Sequence, residues 1–333
     1  MSYQPEFPEQ EPLPLEASHP ESTPQPALED SLQALQYEQP TEEPQLPTEA
    51  PPLFDTWSQP EPPPEVRIPN PAHLGILAIL VVAAAIITGL LTQLAMHFHL
   101  FGVSTVEQLA NNIPYGIATQ VLLYLLVLVL CLIVFPLLWR KGLFAGLQWN
   151  GLIAIQQSGK LILAAFGCFI LAIIDGILIP SKGDAPIDEV FKAPGGAWLL
   201  VAFGITLAPF FEELAFRGFL LPALATAWDW FEEQSNHTPR LPLDLDGHPL
   251  WSQRAMIAGS IAASLPFAAM HAAQTGYTLG PFLLLICVSL VLCWVRLSTR
   301  SLAASTLVHA SYNLILFVLS FVLTDGFKHL DKL

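Results

Sequence analysis

The chain has 333 residues, 53% of them hydrophobic and 12% charged, against about 25% charged in an ordinary soluble domain. With a mean hydropathy of +0.52, this composition excludes a typical soluble globular protein and indicates an integral membrane protein. No cluster of Lys and Arg offers a basic surface to nucleic acid.

The net charge of −15 is unevenly spread, because residues 1–70 contain 14 Asp and Glu against one basic residue, Arg67. The same segment holds 17 of the 30 prolines. Few large apolar residues interrupt it, so it cannot bury enough surface to offset its ordering entropy. An acidic, disordered Pro/Glu/Gln-rich tail is expected over 1–70, acting as a solvated tether. It lacks the basic and apolar regions of a secretory signal.

From residue 71 onward apolar runs are tested against the roughly 20 residues that cross a 30 Å hydrocarbon core. Seven pass: 74–96, 116–138, 160–180, 196–226, 254–272, 279–296 and 301–323. The predicted fold class is all-α, a polytopic transmembrane helix bundle of about seven spans. N-terminal helices would fill 71–195, and a second membrane region would cover 196–323, with a polar surface insertion at 229–254 and a C-terminal tail at 324–333. Arg140, Lys141, Lys160, Arg240, Arg254, Arg296 and Arg300 fall on one side of this arrangement, against Lys182, Lys192, Lys328 and Lys332 on the other, and the 97–115 loop has no Lys or Arg. That bias places the N-terminal tail in the cytoplasm and the protein in the inner cell membrane as a multi-pass protein. The four cysteines lie in apolar runs, without the spacing of a metal site, and read as core fillers.

The fourth span raises the functional question, because "APFFEELAFRG" places Glu212, Glu213 and Arg217 within an apolar run. Charges in hydrocarbon are costly, and such residues are functional-site candidates by default. On a helix, Glu213 and Arg217 are four apart in the favourable order and can neutralise each other. Glu212 lies about 100° around the helix and needs a partner from elsewhere. Pro209 requires either a kink or a new helix with proline in its first turn.

Complementary groups occur in two other spans. "FAAMH" carries Phe267 and His271 on one helical face, and "HASYN" carries His309 and Asn313 on one face. Ser305 and Ser311 flank His309, with a spacing expected to turn them away from it. A carboxylate with an imidazole can take a proton from water, and an imidazole with an amide can donate to a developing oxyanion, which suits peptide-bond hydrolysis. Alternatively, Glu212, His271 and His309 are the candidate ligands of a divalent metal such as zinc that activates the water. The one-helix signature H-E-x-x-H is absent.

These motifs, in this order, resemble the CPBP family of type II CAAX prenyl endopeptidases and bacteriocin-processing or Abi-type membrane proteins. The similarity covers about residues 196–318, including the approach "RLSTRSLAASTLVHASYN" to the last motif. It implies an intramembrane endopeptidase whose substrate is a membrane-associated peptide or protein, lipidated in the CAAX case. It also implies that Glu212 and His271 activate water and that His309 and Asn313 bind the oxyanion, with Glu213, Arg217 and Phe267 shaping the site. The family is described both as metalloproteases and as metal-free glutamate proteases; since the base and oxyanion roles are filled without a metal, no cofactor is required on the favoured reading. A non-catalytic peptide-binding or bacteriocin-immunity protein on the same scaffold is the alternative, and an ion-coupled transporter is a third reading. One conflict remains at this level. At 1.5 Å per residue, Glu212 lies about 22 Å from the outer start of span four, whereas His271 falls at the outer end of span five.

Overall fold

A computed structural model describes residues 66–110, 112–180, 190–191, 195–244 and 246–328. The expected 1–70 tail lies outside the described residues as far as residue 65, and residues 329–333 lie outside them too.

Residues 66–70 are part of the membrane unit. Asn70 caps the first helix, its side chain accepting from the backbone N–H groups of Ala72 and His73 while the His73 Nδ1 accepts from the Asn70 N–H. Pro71 then occupies the first helical position, where its missing donor costs nothing. Arg67 is buried against the Glu233 carboxylate and the Leu241 carbonyl.

The described residues are helical, apart from connecting turns and one isolated bridge between Leu243 and Pro249. In chain order the helices are α1 (Pro71–His97), α2 (Val106–Ala110), α3 (Ile113–Trp139), α4 (Leu143–Gly146), α5 (Gly151–Gln156) and α6 (Ser158–Leu178). They continue with α7 (Gly196–Ile205), α8 (Leu207–Glu213), a π-helical turn (Leu214–Leu220), α9 (Leu221–Asn236), α10 (Gln253–His271), α11 (Leu279–Thr299) and α12 (Leu302–Leu323). Among the described residues six helical segments are long and apolar enough to cross a membrane. The protein is therefore a multi-pass membrane protein. Of the seven expected spans, the fifth forms as α10 but is not among those six.

The fourth segment differs most from expectation. It runs from Gly196 to Asn236, 41 residues, or about 60 Å of helix, twice the hydrocarbon thickness. It is interrupted at Thr206 (φ −123°, ψ −79°), where α7 stops and α8 begins. Pro209 then falls in the first turn of α8, the second of the two arrangements open to it. The helix also continues ten residues beyond 226, so the first part of the 229–254 insertion is helix rather than loop. Within it Asp229 is buried and accepts from the Ser252 N–H at 3.0 Å, while the Trp251 Nε1–H donates to the Thr226 hydroxyl.

Three apolar cores hold the bundle. The first joins α1, α3, the π turn and the start of α12 through Ala84, Cys131, Phe135, Phe219 and Leu302. The second joins α6, α11 and α12, and the third joins α9, α10 and α11. Among the described residues all four cysteines are free thiols; three are buried and Cys287 is exposed. Small residues set the closest approaches: a Cβ at Gly259 on α10 would stand 3.3 Å from the Ala225 nitrogen on α9. α12 lies against α6, α7, α8 and α11 and presents its N-terminal half, including His309, to the interior.

Candidate active site

Four helical elements supply the polar side chains: α8 with its π turn, α10, α11 and α12. Glu213 and Arg217 are both fully buried, with 0% of either side chain exposed, and pair at 2.9 Å, as the i, i+4 spacing requires. The turn carrying Arg217 is π-wound and follows directly on Glu213; the Leu221 N–H closes on the Phe216 carbonyl five residues back. Such wide turns recur at functional sites, where they re-aim side chains.

Arg217 also donates to the Ser289 carbonyl (3.1 Å) and hydroxyl (2.7 Å) on α11, and its guanidinium lies 4.4 Å from the centre of the Phe267 ring. The Phe267 carbonyl in turn accepts from the His271 Nδ1 at 2.8 Å. A carbonyl has no proton to give, so the His271 Nδ1 carries one and its Nε2 faces the site as the free nitrogen. His309 turns its Nδ1 to the Glu213 Oε1 at 3.1 Å. One buried carboxylate oxygen thus holds both Arg217 and His309, while the other, Oε2, is buried with no hydrogen-bond partner among the described residues.

Glu212 sits on the other line of the helix, with its Oε2 at 3.7 Å from the Nε2 of His271 and 3.7 Å from the Nε2 of His309. These separations exceed a direct hydrogen bond, and a water beside the pair can touch both Glu212 and an imidazole. The structure thus gives Glu212 the partners its own segment lacks. Asn313, one turn beyond His309, donates from its amide nitrogen to the Gly204 carbonyl at 2.8 Å, at the end of α7.

Two expectations are corrected here. The depth conflict disappears because the fourth segment is broken and longer than drawn. α10 starts at the far end beside α9 and ends at His271, level with Glu212. Ser305, expected to turn away from His309, lies one turn before it on the same face, as a separation of four dictates. It is fully buried beside Glu213, and its hydroxyl donates to the Leu302 carbonyl at 3.1 Å. The sequence reading also missed Ser289, which anchors Arg217, and Tyr124 of α3, whose ring meets Phe211 at 4.5 Å and Phe203 at 5.8 Å and lies within electrostatic reach of Glu212. No spacing signal links either residue to the motifs, because both come from helices far away in sequence.

Both Nε2 atoms turn toward Glu212, yet among the described residues no group of three or more His, Cys, Asp or Glu side chains is placed to hold a metal ion.

No curated protein and no solved structure matches the chain. A family model described as type II CAAX prenyl endopeptidase Rce1-like matches residues 194–315. The matched segment runs from the residues just before α7 into α12 and contains Glu212, Glu213, Arg217, Phe267, His271, His309 and Asn313, so over residues 194–315 this multi-pass membrane protein is similar to the type II CAAX prenyl endopeptidases.

Proposed function

We propose that the protein hydrolyses a peptide bond in a membrane-associated substrate, with Glu212 and His271 activating the attacking water and His309 and Asn313 receiving the oxyanion. The observation that carries this reading is the placement of the Glu212 Oε2 at 3.7 Å from both imidazole Nε2 atoms, each on a different helix.

A water held between Glu212 and the His271 Nε2 gives a proton to the carboxylate as its oxygen adds to the carbonyl carbon. The His309 Nδ1 is held on the buried Glu213 carboxylate, and when both ring nitrogens carry a proton its Nε2–H is a donor to the oxyanion. The Asn313 amide has two N–H groups, and the one not held by Gly204 is free for the same oxygen. Collapse of the tetrahedral intermediate breaks the C–N bond. The proton on Glu212 passes to the leaving nitrogen, giving a carboxylic acid and an amine and returning Glu212 to its carboxylate form. Glu213, Arg217, Ser289 and Phe267 hold these groups in place. The substrate class is a peptide or protein within or attached to the bilayer, prenylated or not, and the reaction as drawn requires no metal.

The distribution of basic residues supports an orientation. The Lys141 ammonium donates to the Asp246 carbonyl, Arg300 pairs with Asp244 and Arg67 pairs with Glu233. These basic residues therefore share the end of the bundle where α1 begins, and we assign that end to the cytoplasm of a cell-membrane protein. Thiol-labelling of single cysteines at positions 141 and 104 in intact cells checks the assignment.

The reaction is tested on purified protein in proteoliposomes with a panel of apolar and farnesylated fluorogenic peptides. Wild type should cleave at least one, and Glu212→Gln and His271→Ala should each lower the rate by about 10²- to 10⁴-fold. Undiminished cleavage in both variants sinks the assignment; binding without cleavage in the wild type points to the non-catalytic alternative. Elemental analysis with chelation decides the metal question: a stoichiometric metal lost together with activity overturns the metal-free mechanism.

A further inference from the structure

Two adjoining cavities, of about 540 and 620 Å³, open between α1 and α3 and share Thr92, Asn112 and Thr119 as walls. The larger lies within the usual range for ligand sites and extends to Thr88, Gln120 and Phe203. Phe203 stacks on Tyr124, Tyr124 lies against Phe211, and Phe211 directly precedes Glu212. Three rings in contact, Phe203, Tyr124 and Phe211, therefore connect the end of the cavity to the candidate general base.

The walls are apolar for the most part but carry a row of hydrogen-bonding groups. Thr119 satisfies its hydroxyl within its own helix, donating to the Tyr115 carbonyl at 2.9 Å. Thr88 does not: it is 4% exposed, and its Oγ1 is buried with no partner among the described residues. Asn112 spends its side-chain oxygen on the N-cap of α3, which leaves its amide N–H groups as donors. Gln120 hydrogen-bonds to Tyr124 and faces the same space.

An acyl or prenyl chain asks for no hydrogen bonds, so a cavity shaped for one has no use for a buried, unpaired hydroxyl. An unwound peptide does ask for them. A scissile carbonyl inside a helix is shielded, and unwinding the segment in hydrocarbon leaves N–H and C=O groups that need partners. We propose that the α1/α3 cavity binds an extended, apolar segment of the peptide substrate on its way to Glu212, with Thr88, Thr92, Asn112 and Gln120 hydrogen-bonding its backbone. This role rests on the proteolytic reading above.

The test uses the full-length Glu212→Gln protein in lipid nanodiscs and an apolar peptide carrying a benzophenone. Photolysis should yield adducts on α1 near Thr88–Thr92 and on α3 near residues 112–120. Thr88→Val and Gln120→Leu should each weaken capture about fivefold, the worth of one net hydrogen bond. Adducts confined to other helices overturn the proposal, as does displacement of the probe by farnesol or palmitate together with unweakened capture by Thr88→Val, which marks a lipid site. If the wild type still cleaves that peptide, the proteolytic reading stands without the cavity. Adducts at α1 and α3 with no cleavage by the wild type overturn both the delivery role and the proteolytic reading.

Discussion

Arg217→Leu probes the most committed interaction in the structure. Arg217 and Glu213 have 0% exposed side chains and pair at 2.9 Å, and Arg217 makes two further hydrogen bonds to Ser289 at 3.1 and 2.7 Å. Neutral interhelical hydrogen bonds in membrane proteins average about 0.6 kcal/mol, which would put three at about 2. Here the donor is charged, which raises each to about 1.5 kcal/mol or more. Losing the contact with Phe267, at 4.4 Å, adds to the loss. Against this, Glu213 keeps His309 as a partner. About 4 kcal/mol of destabilisation is expected, within the range for breaking one side of a buried ion pair. The assay is unfolding in mixed micelles titrated with SDS. The informative comparison is the double variant Glu213→Gln/Arg217→Leu, which removes the orphaned charge as well and should cost about 2 kcal/mol less than the two single losses added. An Arg217→Leu protein within about 1 kcal/mol of wild type, or an additive double variant, refutes the reasoning.

Ser289→Ala removes one hydrogen bond to Arg217 and should cost about 1.5 kcal/mol of stability and about tenfold in cleavage rate with little change in KM, read by the same titration and by steady-state kinetics. His248, in the loop after α9, is 9% exposed with a buried, unpartnered Nδ1. Burial holds its pKa below the ordinary value of 6.5, nearby Asp244 opposing and Lys141 and Arg296 reinforcing the shift. The unfolded chain therefore takes up a proton first, so stability should fall as pH drops below about 6.5 toward the folded value, and His248→Gln should flatten that slope in thermal unfolding. A Cβ at Gly204 would stand 2.8 Å from the Phe317 ring, so Gly204→Val should cost about 1–3 kcal/mol by thermal unfolding. It should also lower cleavage, because the Gly204 carbonyl that holds Asn313 moves with α7.

The membrane class, the pairing of Glu213 with Arg217 and the positions of the long helices to within a few residues, except the far end of the fourth segment, were legible in the sequence. These depend on local physics, namely runs of apolar residues long enough to cross hydrocarbon and a spacing of four on one helical face. The sequence also determined that Glu212 required a distant partner, since nothing within its own turn could neutralise it. Tertiary structure decided which partners those are. The break at Thr206, the π turn at Leu214–Leu220 and the extension of α9 to Asn236 set the depth of Glu212, and none of them has a hydropathy signature. Only the packing of α10 and α12 against that broken segment brings the Nε2 atoms of His271 and His309 to the same carboxylate oxygen. Ser289 and Tyr124 were invisible for the same reason: contacts between helices depend on which faces meet, and a linear pattern of apolar residues does not record that.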